Sequence, residues 1–450
     1  MMRNNKGDRN FGVTARSAFF VIAILTCFGV MSDWASAKSL TAALTNLITD
    51  NPRIVSAKGN LDASGKAVDQ AFAAYLPVVG PTLDGGYEVT DNQARRALGA
   101  DTLGMGRQSA GVIVTQNLYD GSLKSENLGI AKLSVDIASE SREAITQQVL
   151  FEGISVYHNI LRQKRLVGLA RASEMTIATQ LELEDERVKR GGGIAGDVLL
   201  SKARLQIAKE QRVAFTGALR ETHAIYRQVY GEASEVGSMT DPVPPMAAVP
   251  TTLDDALAIA QDDSPQIKSS EQATEIAARQ RTLARSGYMP RLDLVAQANW
   301  EDDVDGTKGI RRDAALLVRL TWEIFSGFAT RAQVAQASAR YGESLANFDQ
   351  AKRETMQAVM LSWDRLETAR TRVSLLQNAV NIATEVFDAR RQLRVAGKES
   401  AINVLDAETE MYRAQINYTN ASYDARLAIY ALLQAMGRLN GETLNLVPGQ

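Results

Sequence analysis

Gly191-Gly192-Gly193-Ile194-Ala195-Gly196 satisfies the literal pattern GxGxxG, in which glycine backbone cradles a pyrophosphate. That chemistry needs a strand before the glycines and a βαβ unit around them. Here the preceding residues, LELEDERVKR, read as a charged helix end, and a second, similar segment carries GKESAI instead. The glycines fit a tight helix-to-helix reversal better than a phosphate loop. His158 and His223 are the only histidines, 65 residues apart on helical segments, and they read as packing or surface residues. No GxxxxGK[ST] occurs, so no nucleotide energises this chain. Cys27 is the only cysteine, and it lies in a leader. Without a nucleophile, a metal-ligand cluster or a phosphate loop, the expectation is a protein that is not an enzyme and carries no cofactor.

The leader explains the missing thiol. Arg3, Lys6, Arg9 and Arg16 precede an apolar run from Ala18 to Val30, and Ala35-Ser36-Ala37 reads as a small-x-small cleavage site. This is the pattern of a secretory signal peptide, residues 1–37. Thr26 precedes Cys27 where a small Gly or Ala is usual for lipidation. Cleavage leaves 46 basic and 50 acidic residues and no cysteine, so packing alone must hold the exported chain. The near-neutral balance argues against nucleic acid as a partner.

The mature chain is one unit used twice. SLTAALTNLITDNPRI (39–54) aligns with TLDDALAIAQDDSPQI (252–267) at an offset of 213, which also brings Tyr75-Leu76-Pro77 onto Tyr288-Met289-Pro290. An offset of 206 brings NLYDG (117–121) onto EIFSG (323–327), Val198-Leu199 onto Val404-Leu405, and Tyr230-Gly231 onto Met436-Gly437. The expected division is a first repeat at 38–231, a Pro-rich linker at 232–251, a second repeat at 252–437 and a tail at 438–450. Pro77 and Pro290 stop a helical period and start a strand period, because proline cannot donate an amide and restricts the residue before it.

Beyond each proline the pattern alternates. Val79, Leu83, Tyr87 and Val89 interleave with Gly80, Thr82, Asp84 and Glu88; a second run starts near Ala110. In the second copy Leu292, Leu294, Ala296, Ala298 and Trp300 form one run, and Ala314 to Ile324 the other. Each is about ten residues, apolar on one face, with aromatics near the ends, as for a strand crossing a bilayer. Four strands cannot stand open in lipid, so copies of the chain must complete a barrel. Two copies give a filled interior; three give twelve strands and a lumen.

Phe328–Val395 reads as a helix of about 68 residues, roughly 100 Å long. Val359, Leu366, Val373, Val380 and Phe387 recur every seven residues, and the return helix repeats Ala407, Ala414, Ala421, Ala428 and Ala435. Such heptads impose coiled-coil packing with close helix approach. The fold class expected is mainly α with transmembrane β.

These features resemble the TolC family of outer-membrane export ducts along essentially the whole mature chain. The likeness rests on the duplicated opening, the YLP and YMP switches, NLYDG and EIFSG, and the turns RGGGIAGDVLLSKARL and RVAGKESAINVLDAETE. It implies a homotrimer with a twelve-stranded barrel in the outer-membrane lipid and a twelve-helix periplasmic α-barrel. It also implies an inner-membrane ABC or RND pump and a periplasmic adaptor docked at the tip turns. Those turns hold Gly191, Gly192, Gly193, Val198, Leu199, Gly397, Val404 and Leu405. By position Asp197 and Asp406 match the acids that ring the periplasmic entrance in this family; Asn403 stands where a second acid is usual and Arg394 where a tyrosine is. Glu399 replaces a basic partner, with Lys398 adjacent. Tyr75, Pro77, Tyr119, Gly121, Tyr288, Pro290, Phe325 and Gly327 mark the membrane boundary. The expected function is a passive exit duct for type I protein secretion. The alternatives are efflux of small toxic compounds and, from another class, a soluble periplasmic coiled-coil scaffold.

Overall fold

The computed structural model describes residues 39–97, 99, 101–234 and 239–446. The leader read at 1–37 lies outside them. In chain order the elements are α1 (Leu40–Asp50), α2 (Pro52–Ala73), β1 (Val78–Thr90), α3 (Gln93–Ala97), β2 (Leu103–Tyr119), α4 (Leu123–Lys189) and α5 (Ala195–Tyr230). They continue with α6 (Leu253–Asp263), α7 (Pro265–Ser286), β3 (Arg291–Asp302), β4 (Ile310–Thr321), α8 (Ala329–Val395) and α9 (Ala401–Ala435). The protein is mostly helical with a small antiparallel sheet. Among the described residues no helix is long and apolar enough to cross a membrane.

Local chemistry starts and stops these elements. Ser39, Asn51 and Thr252 cap α1, α2 and α6 by accepting backbone N–H groups, and Pro52 and Pro265 occupy the first position of α2 and α7. Both α4 and α8 run 67 residues, so each is about 100 Å long. The strand-to-helix switch is made the same way in both halves, by two consecutive left-handed residues. Gly121 (φ 69°) and Ser122 (φ 81°) precede α4; Gly327 (φ 62°) and Phe328 (φ 66°) precede α8. A left-handed Phe costs roughly 1–2 kcal/mol, so the surrounding junction must hold it there.

The sheet order is β1-β2-β3-β4, antiparallel throughout, so the halves meet at the β2–β3 seam and β1 and β4 are open edges. β1 and β2, at 13 and 17 residues, exceed the ten-residue expectation, while β4 stops at Thr321 rather than Ile324. There Trp322 turns its indole N–H to the Tyr288 carbonyl (3.1 Å) instead of continuing the ladder. Near the sheet, helices pack in the order α2, α4, α7, α8; toward the tips the order is α5, α4, α9, α8. The main core gathers Leu44, Leu150, Ile154, Tyr157, Tyr226, Leu432 and Leu433 from α1, α4, α5 and α9. In the heptad seams Val359, Ser362, Leu366, Ala369, Phe387, Ala407, Ala414 and Ala421 are buried, as small d positions require.

Candidate functional site

Both long helices end in the same turn. Gly191 (φ 78°) and Gly397 (φ 75°) take the left-handed conformation. The Gly192 N–H then donates to Arg187 O (3.0 Å) and the Lys398 N–H to Leu393 O (2.9 Å), which closes the last carbonyls of α4 and α8. The returning helices start differently. Ser400 caps α9, its hydroxyl accepting from the Asn403 N–H (3.3 Å), whereas Ile194 stands at the start of α5 with no side-chain cap.

The tip residues converge on Arg394. Its guanidinium holds Glu184 of α4 through two nitrogens (Nε to Oε1 3.0 Å, Nη2 to Oε2 2.5 Å), donates to the Glu399 carbonyl (2.8 Å) and lies 3.5 Å from Asp197. Arg187 adds a second cation on Glu184 (3.2 Å) and donates to the Arg394 carbonyl (3.3 Å). Glu184 is only 3% exposed, so the pair links the two halves in a nearly dry setting. Glu399 accepts from the Asn403 amide (2.5 Å) and the Ser400 N–H (3.1 Å), with Arg390 at 3.7 Å. The Asn403 bond first, then that N–H and the nearby arginines, hold its carboxyl below the usual range. Asp406 does not join this group. It pairs with Arg204 of α5 (2.9 Å), two turns up and half exposed. Lys398 is exposed at the turn.

Of the tip-turn residues, Gly191, Gly192 and Gly397 are exposed. Val198, Val404 and Leu405 are buried: Val404 packs with Phe387, Ala407 and Met411, and Leu405 with Ile177 and Ala208. Leu199, at 67% exposure, is the apolar side chain of that set turned outward. Sequence reading missed Glu184, Arg204, Arg390 and Glu408. A charge seven residues after Ile177, in a core register, was the available signal for Glu184.

At the other end, Tyr75 offers its carbonyl to the Gln116 amide (3.0 Å), and the Lys124 ammonium lies 5.3 Å over its ring. Gly121 presses on Met289, where an added Cβ would meet side-chain carbon at 2.5 Å. Pro77 and Pro290 immediately precede β1 and β3. Tyr119, Tyr288 and Phe325 are exposed, and Phe325 meets Phe328 edge-on at 5.6 Å. The strand register sorts the sheet into two faces. Leu83, Ala110, Val112, Ala296, Ala298, Leu316, Val318 and Leu320 share one, which is bare: Leu83 is 83% exposed. Asp84, Glu88, Arg107, Glu301, Arg311 and Asp313 share the other, with Arg107 bridging Asp84 (3.0 Å) and Glu88 (3.4 Å), and Arg311 paired with Glu301. The sheet thus has one apolar and one charged face, the alternation that a strand between lipid and a polar interior carries.

His158 is buried, and its ring lies 2.9 Å from the Ile154 carbonyl through Nδ1; burial pulls its pKa down to about 4. His223 meets Ser234. Among the described residues no three His, Cys, Asp or Glu converge to hold a metal ion.

A family model described as "Outer membrane efflux protein" matches residues 43–232 and 256–438. The outer membrane efflux protein BepC of Brucella suis is 25% identical over 420 residues, covering 92% of this chain and 89% of that protein. The alkaline protease secretion protein AprF of Pseudomonas aeruginosa is 25% identical over 330 residues, covering 70% and 67%. The crystal structure of the outer membrane protein VceC of Vibrio cholerae superposes with a TM-score of 0.77 at 16% identity, covering 88% of this chain and 96% of that one. The chain belongs to the outer membrane efflux protein family, and it is an exit duct of the Gram-negative outer membrane with a large helical periplasmic part.

Proposed function

We propose that three copies close head to tail into a duct, a twelve-stranded barrel in outer-membrane lipid standing on a twelve-helix periplasmic tunnel. The observation that carries this is the edge order. One side of the molecule ends in β1, α2 and α5; the other ends in β4 and α8. Open strand edges cannot face lipid, and a heterologous contact that closes makes a ring. The exposed side chains agree. Leu375, Ile382, Val386 and Leu393 form a second, exposed stripe on α8, beside its seam with α9, while Leu199, Ile207 and Val213 lie bare on α5. A helix with two apolar stripes suits a wall in which each helix has two neighbours.

In this reading Tyr75, Pro77, Tyr119, Gly121, Tyr288, Pro290, Phe325 and Gly327 mark the lipid boundary. Arg394, Asp197, Glu399, Lys398, Asn403 and Asp406 form the periplasmic gate. The exposed Gly191, Gly192, Gly397 and Leu199 present the surface for a periplasmic adaptor, which joins the duct to an inner-membrane ABC or RND pump. The cargo is protein passed by type I secretion, in line with the name of AprF; the name of BepC supports efflux of small compounds as the second reading.

Planar-bilayer recording of the detergent-purified protein tests the duct, with cross-linking to count copies. No conductance, or extraction by salt without detergent, would return the chain to a soluble scaffold. Asp406→Ala removes the acid's exposed ion pair, worth about 0.2–1 kcal/mol, and should raise the conductance of the same channel. Asp406 is the sixth residue of α9, past the first turn where the macrodipole would favour an acid, so an unchanged conductance would leave it only as the partner of Arg204.

A further inference from the structure

Glu408 is 1% exposed, and neither carboxylate oxygen has a hydrogen-bond partner. Its place on α9 says what it faces. Leu405 and Tyr412 lie three residues before and four after it, on one helix face. Leu405 packs on Ile177 of α4 and Ala208 of α5, and the Tyr412 hydroxyl meets Thr176 of α4 at 3.3 Å. Glu408 therefore sits between α9 and the α4/α5 pair, just above the tip turn.

Charged groups near this level are engaged elsewhere. On α4, Glu174 pairs with Arg212 and Glu184 with Arg394; on α5, Arg204 pairs with Asp406; on α9, Glu410 pairs with Arg413. Tyr412 and Asp406 are the other titratable groups of α9 within a turn or so. No cation stabilises the Glu408 carboxylate, and burial alone raises its pKa from 4.5 to about 8. A buried ionised carboxylate without donors is expensive and is relieved by protonation or by water. Position 202, its counterpart at the offset of 206, is an exposed lysine, so the buried acid is particular to the second tip hairpin.

We propose that Glu408 is a proton-operated release for the tip, in which ionisation draws water between α9 and the α4/α5 pair and loosens the packed entrance. This rests on the duct reading. The sign follows from linkage. A carboxyl that binds its proton more tightly in the packed tip stabilises that state fully below pH 4.5 and loses the contribution as pH rises to about 8. The contacts loosened together are Leu405 on Ile177 and Ala208, the Arg204–Asp406 pair and the Arg394–Glu184 pair, which join α8/α9 to α4/α5 at the tip.

The test is bilayer conductance of the full-length protein from pH 5 to 9.5, with and without Glu408→Gln. In the parent the ratio of open to closed tip should rise by up to about tenfold per pH unit and level off above pH 8. The Gln variant keeps the shape without the charge, and its profile should be flat across that window. Amide exchange of residues 401–412, corrected for intrinsic rates, reads the same loosening without any channel activity. Identical pH profiles for parent and variant, or exchange independent of pH in the parent, would overturn the release. Absence of conductance with pH-dependent exchange would instead count against the duct and leave the release standing.

Discussion

The two tip hairpins share a turn yet differ in what surrounds them. α5 follows α4 and packs mainly against it, touching α9 only near the tip and α1 more lightly; α9 follows α8 and is packed between α8 and α4. The consequences run along each helix. On α9 Val404, Leu405, Ala407, Glu408, Met411, Ala414 and Ala421 are buried in sequence, whereas α5 buries Val198, Ser201 and Ala208 and leaves Leu199, Ile207 and Val213 in the open. A duplicated segment therefore does two jobs, inner stave and edge stave. In this chain the edge stave carries an apolar stripe with nothing packed against it, the stripe that the proposed ring would cover.

The largest break in this comparison should come from Arg394→Ala. It removes the two-nitrogen cation from a nearly buried pair, which costs up to about 3–5 kcal/mol when one partner stays behind, lessened here by the Arg187 contact that Glu184 keeps. Denaturant unfolding should show a loss of that size, and Glu184→Ala on the same background should recover part of it. If the double variant were as unstable as the sum of both singles, Arg394 would not be acting through Glu184.

A second test sets the two stripes of α8 against each other. Leu366 is 1% exposed in the seam with α9, and truncation to Ala should cost about 2–5 kcal/mol in any state of assembly. Leu375, 64% exposed, should cost under about 0.5 kcal/mol in an isolated copy but should weaken the assembled ring. Cross-linked oligomer yield separates the two. An unaffected ring in Leu375→Ala would mean that this stripe does not meet a neighbour.

The smallest effect lies at the helix starts. Ser400→Ala removes the cap of α9 and should cost about 1 kcal/mol, and Ile194→Ser should give α5 a cap it lacks and stabilise it by a similar amount. Thermal melting of both variants reads the asymmetry directly; shifts of the same sign would contradict it.

Much of the fold was legible because it follows from periods and stops. The alternation after Pro77 and Pro290, the heptads of α8 and α9, and the glycines at 121, 191, 327 and 397 each express a local rule of backbone geometry. Position 397 had to be left-handed wherever the chain went next. The candidate site was half legible. Asp197, Glu399, Asn403 and Arg394 do gather at the tip, but Arg394's main partner is Glu184, 210 residues away, and Asp406 turns instead to Arg204. No local pattern encodes such pairings, since they depend on which helix faces which.

The sequence by itself determined the main elements, the span of the long helices and their turns, because hydrogen bonding and side-chain periodicity act within a few residues. Only the tertiary structure decided that the halves join at β2 and β3, that α9 is enclosed while α5 is an edge, and that Glu408 is buried without a partner. Those outcomes are set by the order in which elements pack. The same heptad becomes a core or a bare stripe according to whether another helix lies against it.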